Sequence, residues 1–122
     1  MKPEIENHPA VRLGRFLKDQ RIGAGLSLRD ASNKIGLAPS KLSELELGIG
    51  DHLTEDVYWG MQQAYRIDNE GYIVEELCEE VSKTDILTFA DVFDENDVLP
   101  AFIPLDENQR NKLLTILGFR KP

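Results

Sequence analysis

Cysteine is nearly missing from this 122-residue chain: Cys78 stands alone, which excludes an internal disulfide framework and fits a reducing compartment. Histidine is as sparse, and His8 and His52 lie far apart with no second cysteine near either, so no metal site is expected. No apolar run approaches the roughly 20 residues that a membrane span needs. The opening residues Met1-Lys2-Pro3-Glu4-Ile5-Glu6-Asn7-His8 lack the apolar stretch of a secretion signal. The expectation is a protein of the cytoplasm with no membrane partner. A Gly-rich phosphate loop, a Ser/His/Asp set and paired carboxylates in a pocket motif are all missing, so neither catalysis nor a cofactor is expected. Basic charge is short too: 14 Lys and Arg against 22 Asp and Glu leave a net charge of −8, a poor balance for a polyanionic partner.

That deficit is uneven. Residues 10–67 carry eight basic and seven acidic side chains, whereas residues 68–122 carry five and thirteen. The acidity sits in the second half, and total charge misdescribes both. The hydrophobic fraction of 41% is enough for a packed core.

Along the chain the pattern is helical throughout, which predicts an all-α fold. Residues 1–9 read as a flexible leader. From Ala10 to Ile22, Leu13, Phe16 and Leu17 make an apolar face opposite Arg12, Arg15, Lys18, Asp19 and Arg21, and Gly23 and Gly25 stop the helix. Ser27 is placed to cap a second helix that runs to Ile35 and ends at Gly36, with Asp30 in its first turn. Pro39 opens a third, whose apolar face is Leu42 and Leu45 and whose stop is Gly48. Thr54 caps a fourth over Glu55 to Tyr65, with Val57, Tyr58, Met61 and Tyr65 inward.

In residues 68–122, Ile73, Val74, Leu77, Cys78 and Val81 form a stripe opposite Glu75, Glu76, Glu79 and Glu80. Ile86, Leu87, Ala90 and Phe93 suggest a further short helix. Asp94 to Asp97 reads as a turn and Leu99 to Leu105 as an extended connector. Asp106 with Gln109 resembles a capping box before a last helix carrying Leu113, Leu114, Ile116 and Leu117 and ending at Gly118.

Two short helices joined by a tight turn, the second starting three residues after a glycine, describe a helix-turn-helix. The turn needs a residue tolerant of positive φ, supplied by Gly36. The crossing of the two helices needs small residues, for which Ala31 and Ser32 are candidates. The segments Leu13-Gly14-Arg15-Phe16-Leu17-Lys18, Gly25-Leu26-Ser27-Leu28-Arg29-Asp30-Ala31 and Ile35 to Gly48, in this order and at this spacing, resemble the Cro/repressor-like (XRE-type) helix-turn-helix regulators. The resemblance covers roughly half the chain.

It implies a five-helix domain over residues 10–67, to which the pattern beyond Asp68 adds two to three further helices. The helix Pro39–Leu47 would enter the major groove of double-stranded DNA, in a homodimer reading inverted repeats. Carried over by position, Pro39, Ser40 and Glu44 would face the bases with Lys41 nearby, Ser43 would join them in DNA binding, and Ser27 and Arg29 would lie against the backbone. Ser27 would offer its hydroxyl and the helix N-terminal N–H groups to a phosphate. Arg12, Arg15, Lys18, Arg29 and Lys41 would supply positive charge. In this family a glutamate before the terminal glycine pairs with a basic residue at the end of helix one; the matching residues are Glu46 and Arg21. Glu44 has no such pairing implied: its carboxylate would either accept from cytosine N4 or repel phosphates.

The chain departs from the family in two places. The loop after the third helix has Gly50-Asp51-His52 rather than basic residues, and Leu28 stands where glutamine is common. Few phosphate contacts imply a shallow salt dependence.

The expected function is therefore sequence-specific DNA binding in transcription regulation, as a repressor. The competing expectation is an interaction module, an antitoxin or a phage accessory protein, whose acidic half binds a basic protein. Under the first reading the stripe Ile73 to Val81 is the expected dimer interface. Cys78 reads as a core thiol, Tyr58 and Trp59 as core or interface aromatics, and the glutamates at 75, 76, 79 and 80 as a solvated face or a contact for a basic partner.

Overall fold

A computed structural model describes residues 2–51, 53–67, 71–102 and 104–121, with the side chains of residues 71–74, 101 and 102 excepted. Among the described residues there are eight α-helices and no strand, so the protein is all-α: α1 (Pro9–Gly23), α2 (Leu28–Ile35), α3 (Pro39–Leu47), α4 (Glu55–Tyr65), α5 (Gly71–Ser82), α6 (Phe89–Val92), α7 (Glu95–Val98) and α8 (Glu107–Ile116). No helix of the described residues is long and apolar enough to cross a membrane.

Helix boundaries follow local chemistry. α1 starts one residue before the expected Ala10, because Pro9 suits the first helical position and His8 Nδ1 accepts from the Ala10 N–H at 3.1 Å. Ser27 Oγ accepts from the Asp30 N–H at 3.1 Å, and Thr54 Oγ1 from the Val57 N–H at 3.2 Å. Gly36, at φ 81°, closes α2, and Gly48, at φ 86°, closes α3, where the Ile49 N–H reaches back to the Glu44 carbonyl at 2.9 Å.

The main core joins both halves of the chain. Leu13 and Leu17 of α1, Ala31 of α2, Leu42 and Leu45 of α3, Met61 and Tyr65 of α4, and Leu77 of α5 form one buried cluster. Burying each large aliphatic side chain contributes about 1.5–3 kcal/mol. α1 packs on α3 and α5, and α2 on α3 and α4. The fifth helix of this bundle is thus α5, beyond the expected boundary at Ile67. Its stripe is spent inside the chain: Leu77 is 6% exposed, and Cys78 and Val81 pack against the same cluster. That takes Leu77 out of the expected dimer interface, while Cys78 and Val81 are half-buried. The side chains of Ile73 and Val74 lie outside the described residues.

The segment expected as a flexible leader, residues 1–9, holds a 3-10 turn at Pro3–Ile5 and is tied through Lys2 to α6. The Lys2 N–H donates to the Val92 carbonyl at 2.8 Å, and Lys2 Nζ to the Ala90 carbonyl at 2.6 Å. Val92 and Leu114 are fully buried, and Gly118 fits against Thr88 and Ala90.

Three expectations for this region need correction. Asp94 and Asp97 do not make a plain turn: Asp94 opens α7, with its N–H donating to Asp97 Oδ2 at 3.0 Å, and Leu99–Phe102 is a 3-10 turn rather than an extended connector. Ile86, expected in the short helix, lies before α6 and is 60% exposed, whereas Ile116 lies in α8 as expected and is 77% exposed. Asp106 and Gln109 do form the anticipated box: the Gln109 N–H donates to Asp106 Oδ1 at 2.8 Å and the Asp106 N–H to Gln109 Oε1 at 3.2 Å.

Candidate nucleic-acid interface

The orientation of α3 is fixed at its C-terminal end. A methyl group on Gly14 would lie 2.5 Å from the Glu46 carbonyl oxygen, and one on Gly48 2.8 Å from the Val11 nitrogen, so the backbones of α1 and α3 touch where only glycine fits. Beside this contact Arg21 Nε donates to Glu46 Oε2 at 2.7 Å and Nη2 to Glu46 Oε1 at 3.1 Å. Both side chains are buried. The third guanidinium nitrogen donates to the Leu26 carbonyl at 2.9 Å, drawing the α1–α2 loop onto the same pair. The hydrogen bond to Glu46 is the chief reason that the Arg21 pKa rises further, against the opposing effect of burial.

With its last turn seated this way, α3 presents its first turn outward. Pro39, Ser40 and Lys41 are exposed, Ser43 and Glu44 are half-buried, and Leu42, Leu45 and Glu46 point into the core. Ser40, Ser43, Glu44 and Leu47 fall at i, i+3, i+4 and i+7, one face of the helix. Glu44 has an interaction within the protein as well. Ala38 offers no side-chain cap and Pro39 no N–H, so among the described residues no side chain caps the first turn of α3. Such a terminus favours an anionic oxygen.

α2 lies behind this turn, and Ala31 and Ser32, the small residues anticipated at the crossing, are both buried. Ser27 and Arg29 are exposed at its start. Because Ser27 Oγ already accepts from the Asp30 amide, its hydroxyl hydrogen remains to donate. Lys18, Arg29 and Lys41 are exposed cations of this half. Arg12, anticipated with them, lies instead 3.7 Å from Glu80 of α5. Both partners are half-exposed, so this pair adds little stability, but it directs Arg12 toward the acidic helix.

Of the two expectations for Trp59, core or interface, its 63% accessibility excludes the core. The signal was present: Trp59 precedes Met61 by two positions, across α4 from the stripe of Val57, Met61 and Tyr65. The ties from Lys2 to α6 and from Gly50 to Leu87, where the amide meets the carbonyl at 2.9 Å, had no local signal. His52 lies outside the described residues, and among those described no group of three or more His, Cys, Asp or Glu is placed to hold a metal ion. No protein-family model matches the chain, nor does any curated protein or solved structure.

Proposed function

We propose that this protein is a sequence-specific DNA-binding transcriptional regulator of the Cro/repressor-like helix-turn-helix type, a cytoplasmic repressor acting as a homodimer. One observation carries the reading: α3 is locked to α1 through its last turn, while its first turn, which Ala38 does not cap, is exposed, as is the start of α2. A helix held from behind and open in front suits insertion into a major groove. Lys41 and Ser40 are the residues proposed to discriminate bases, together with Pro39, Ser43 and Glu44. Ser27 and Arg29 are proposed to hold phosphates on the flank.

The interaction-module reading draws on the exposed carboxylates of α5, Glu75, Glu76 and Glu79, which face away from Leu77. Removing residues 68–122 does not separate the two readings, because it also strips Leu77 from the core. Charge reversal at Glu75 and Glu76 leaves that core intact and serves better.

The test is fluorescence anisotropy on a duplex enriched from random sequences, at two salt concentrations, with a scrambled duplex as control. Lys41→Ala and Ser40→Ala should each weaken specific binding by about 1–3 kcal/mol where they read a base, whereas Arg12→Ala should leave it nearly unchanged. Equal losses on both duplexes in every variant would reduce the interface to bare electrostatics and remove the sequence-reading role.

A further inference from the structure

We infer that a cavity between α1, the loop after α3, and α5 is a binding site for a compact apolar molecule that is neutral or cationic. The site does not depend on the DNA-binding reading.

The cavity measures about 210 Å³. Leu13 and Leu45 form its buried end, Ile49 and Leu53 belong to the α3–α4 loop, and Cys78 and Val81 come from α5. Its walls are held from outside the cavity. Gly48 is wedged against the α1 backbone, and the Gly50 amide is tied to the Leu87 carbonyl at 2.9 Å. α5 is fixed through Leu77 in the main core. Three separately anchored walls cannot collapse together, so the space is preformed.

Its size and lining define the ligand. A dry cavity of about 150 Å³ lined by Leu, Ile and Phe admits benzene; this one, somewhat larger, admits roughly ten non-hydrogen atoms, the size of indole or a phenylalkyl amine. The lining is largely aliphatic, and its Ser82 hydroxyl and Asp51 carboxylate are too few partners for a phosphate or a sugar, whose polar groups would be buried without hydrogen bonds. Among the described lining residues Asp51 is the charged one, and it is exposed at the mouth. A carboxylate there repels acids and accepts from an amine or an indole N–H. The Cys78 thiol is pushed up in pKa chiefly by burial and stays protonated, behaving as a small apolar surface.

Methyl-detected NMR of the full chain, titrated with indole, phenethylamine and phenylacetate, tests the assignment. Indole and phenethylamine should shift the Leu13, Leu45 and Val81 methyls saturably, and phenylacetate should not. Cys78→Leu and Ala10→Leu each fill the cavity from a different wall and should weaken binding by at least about tenfold. If Cys78→Leu fails to fold, Ala10→Leu, at the start of α1, decides alone. Methyls unmoved at the solubility limit of indole would overturn the site. So would shifts of equal size in a folded, cavity-filled variant, and equal binding of phenylacetate and phenethylamine would overturn the ligand class.

Discussion

Arg21 and Glu46 form a two-pronged ion pair, at 2.7 and 3.1 Å, between the last turns of α1 and α3, with both side chains buried. It fixes the crossing that aims α3 outward. Breaking it from one side leaves an uncompensated charge in the core: Arg21→Ala should destabilise by about 3–5 kcal/mol, while Arg21→Met combined with Glu46→Leu should be far milder. Chemical denaturation of the single and double variants checks this.

Gly14 allows the α1 and α3 backbones to meet. In Gly14→Ala the added methyl would sit 2.5 Å from the Glu46 carbonyl and 2.6 Å from that of Leu45, both rigid backbone atoms. The helices must then separate, at a cost of about 1–3 kcal/mol or more. A Tm equal to that of the parent chain would show that the two helices do not pack this closely.

Leu77 places α5 inside the main cluster. Leu77→Ala should cost about 2–5 kcal/mol, and Leu77→Asp should unfold the chain outright rather than yield a folded monomer. Circular dichroism melts run beside sedimentation separate the two outcomes. A folded Leu77→Asp protein with an unchanged Tm would detach α5 from the core.

Tyr65 sets an alkaline limit. Burial, with the nearby Glu46 carboxylate second, raises its pKa from 10.0 to about 12, against a smaller opposing effect of Arg21. A raised folded-state pKa means that the associated stability is complete below pH 10 and lost as pH climbs through about 12. Tm should therefore fall across that window, and less steeply in Tyr65→Phe. Tyr58, whose pKa burial also raises, keeps part of the decline in the variant. Among the described residues the Tyr65 hydroxyl has no hydrogen-bond partner, so the substitution should cost little at neutral pH.

Much of this fold is legible in local sequence. Ser27 and Gly36 bracket α2, and Pro39 and Gly48 bracket α3, because capping and left-handed backbone are chemistries of single residues. The all-α class follows from the spacing of Leu13 with Leu17, and of Leu77 with Val81. The expected contact between Arg21 and Glu46 rests on family resemblance rather than spacing, and the structure contains it. What escaped was long-range. Nothing near Lys2 marks Ala90 or Val92 as its partners, and nothing on α5 tells whether Leu77 meets its own chain or another. α7 reads as a turn in sequence because a single helical turn rich in Asp, Glu and Asn has the composition of one. Of the candidate site, the exposed first turn of α3 was foreseen, whereas the diversion of Arg12 to Glu80 was not.

The central claim, that α3 reads DNA sequence, is tested most directly by selection from a random duplex library with the full chain. The account predicts enrichment of one inverted repeat, lost when Ser40 and Lys41 are both replaced by alanine. Failure to enrich any sequence at low salt, by a chain with an intact melting transition, would contradict it.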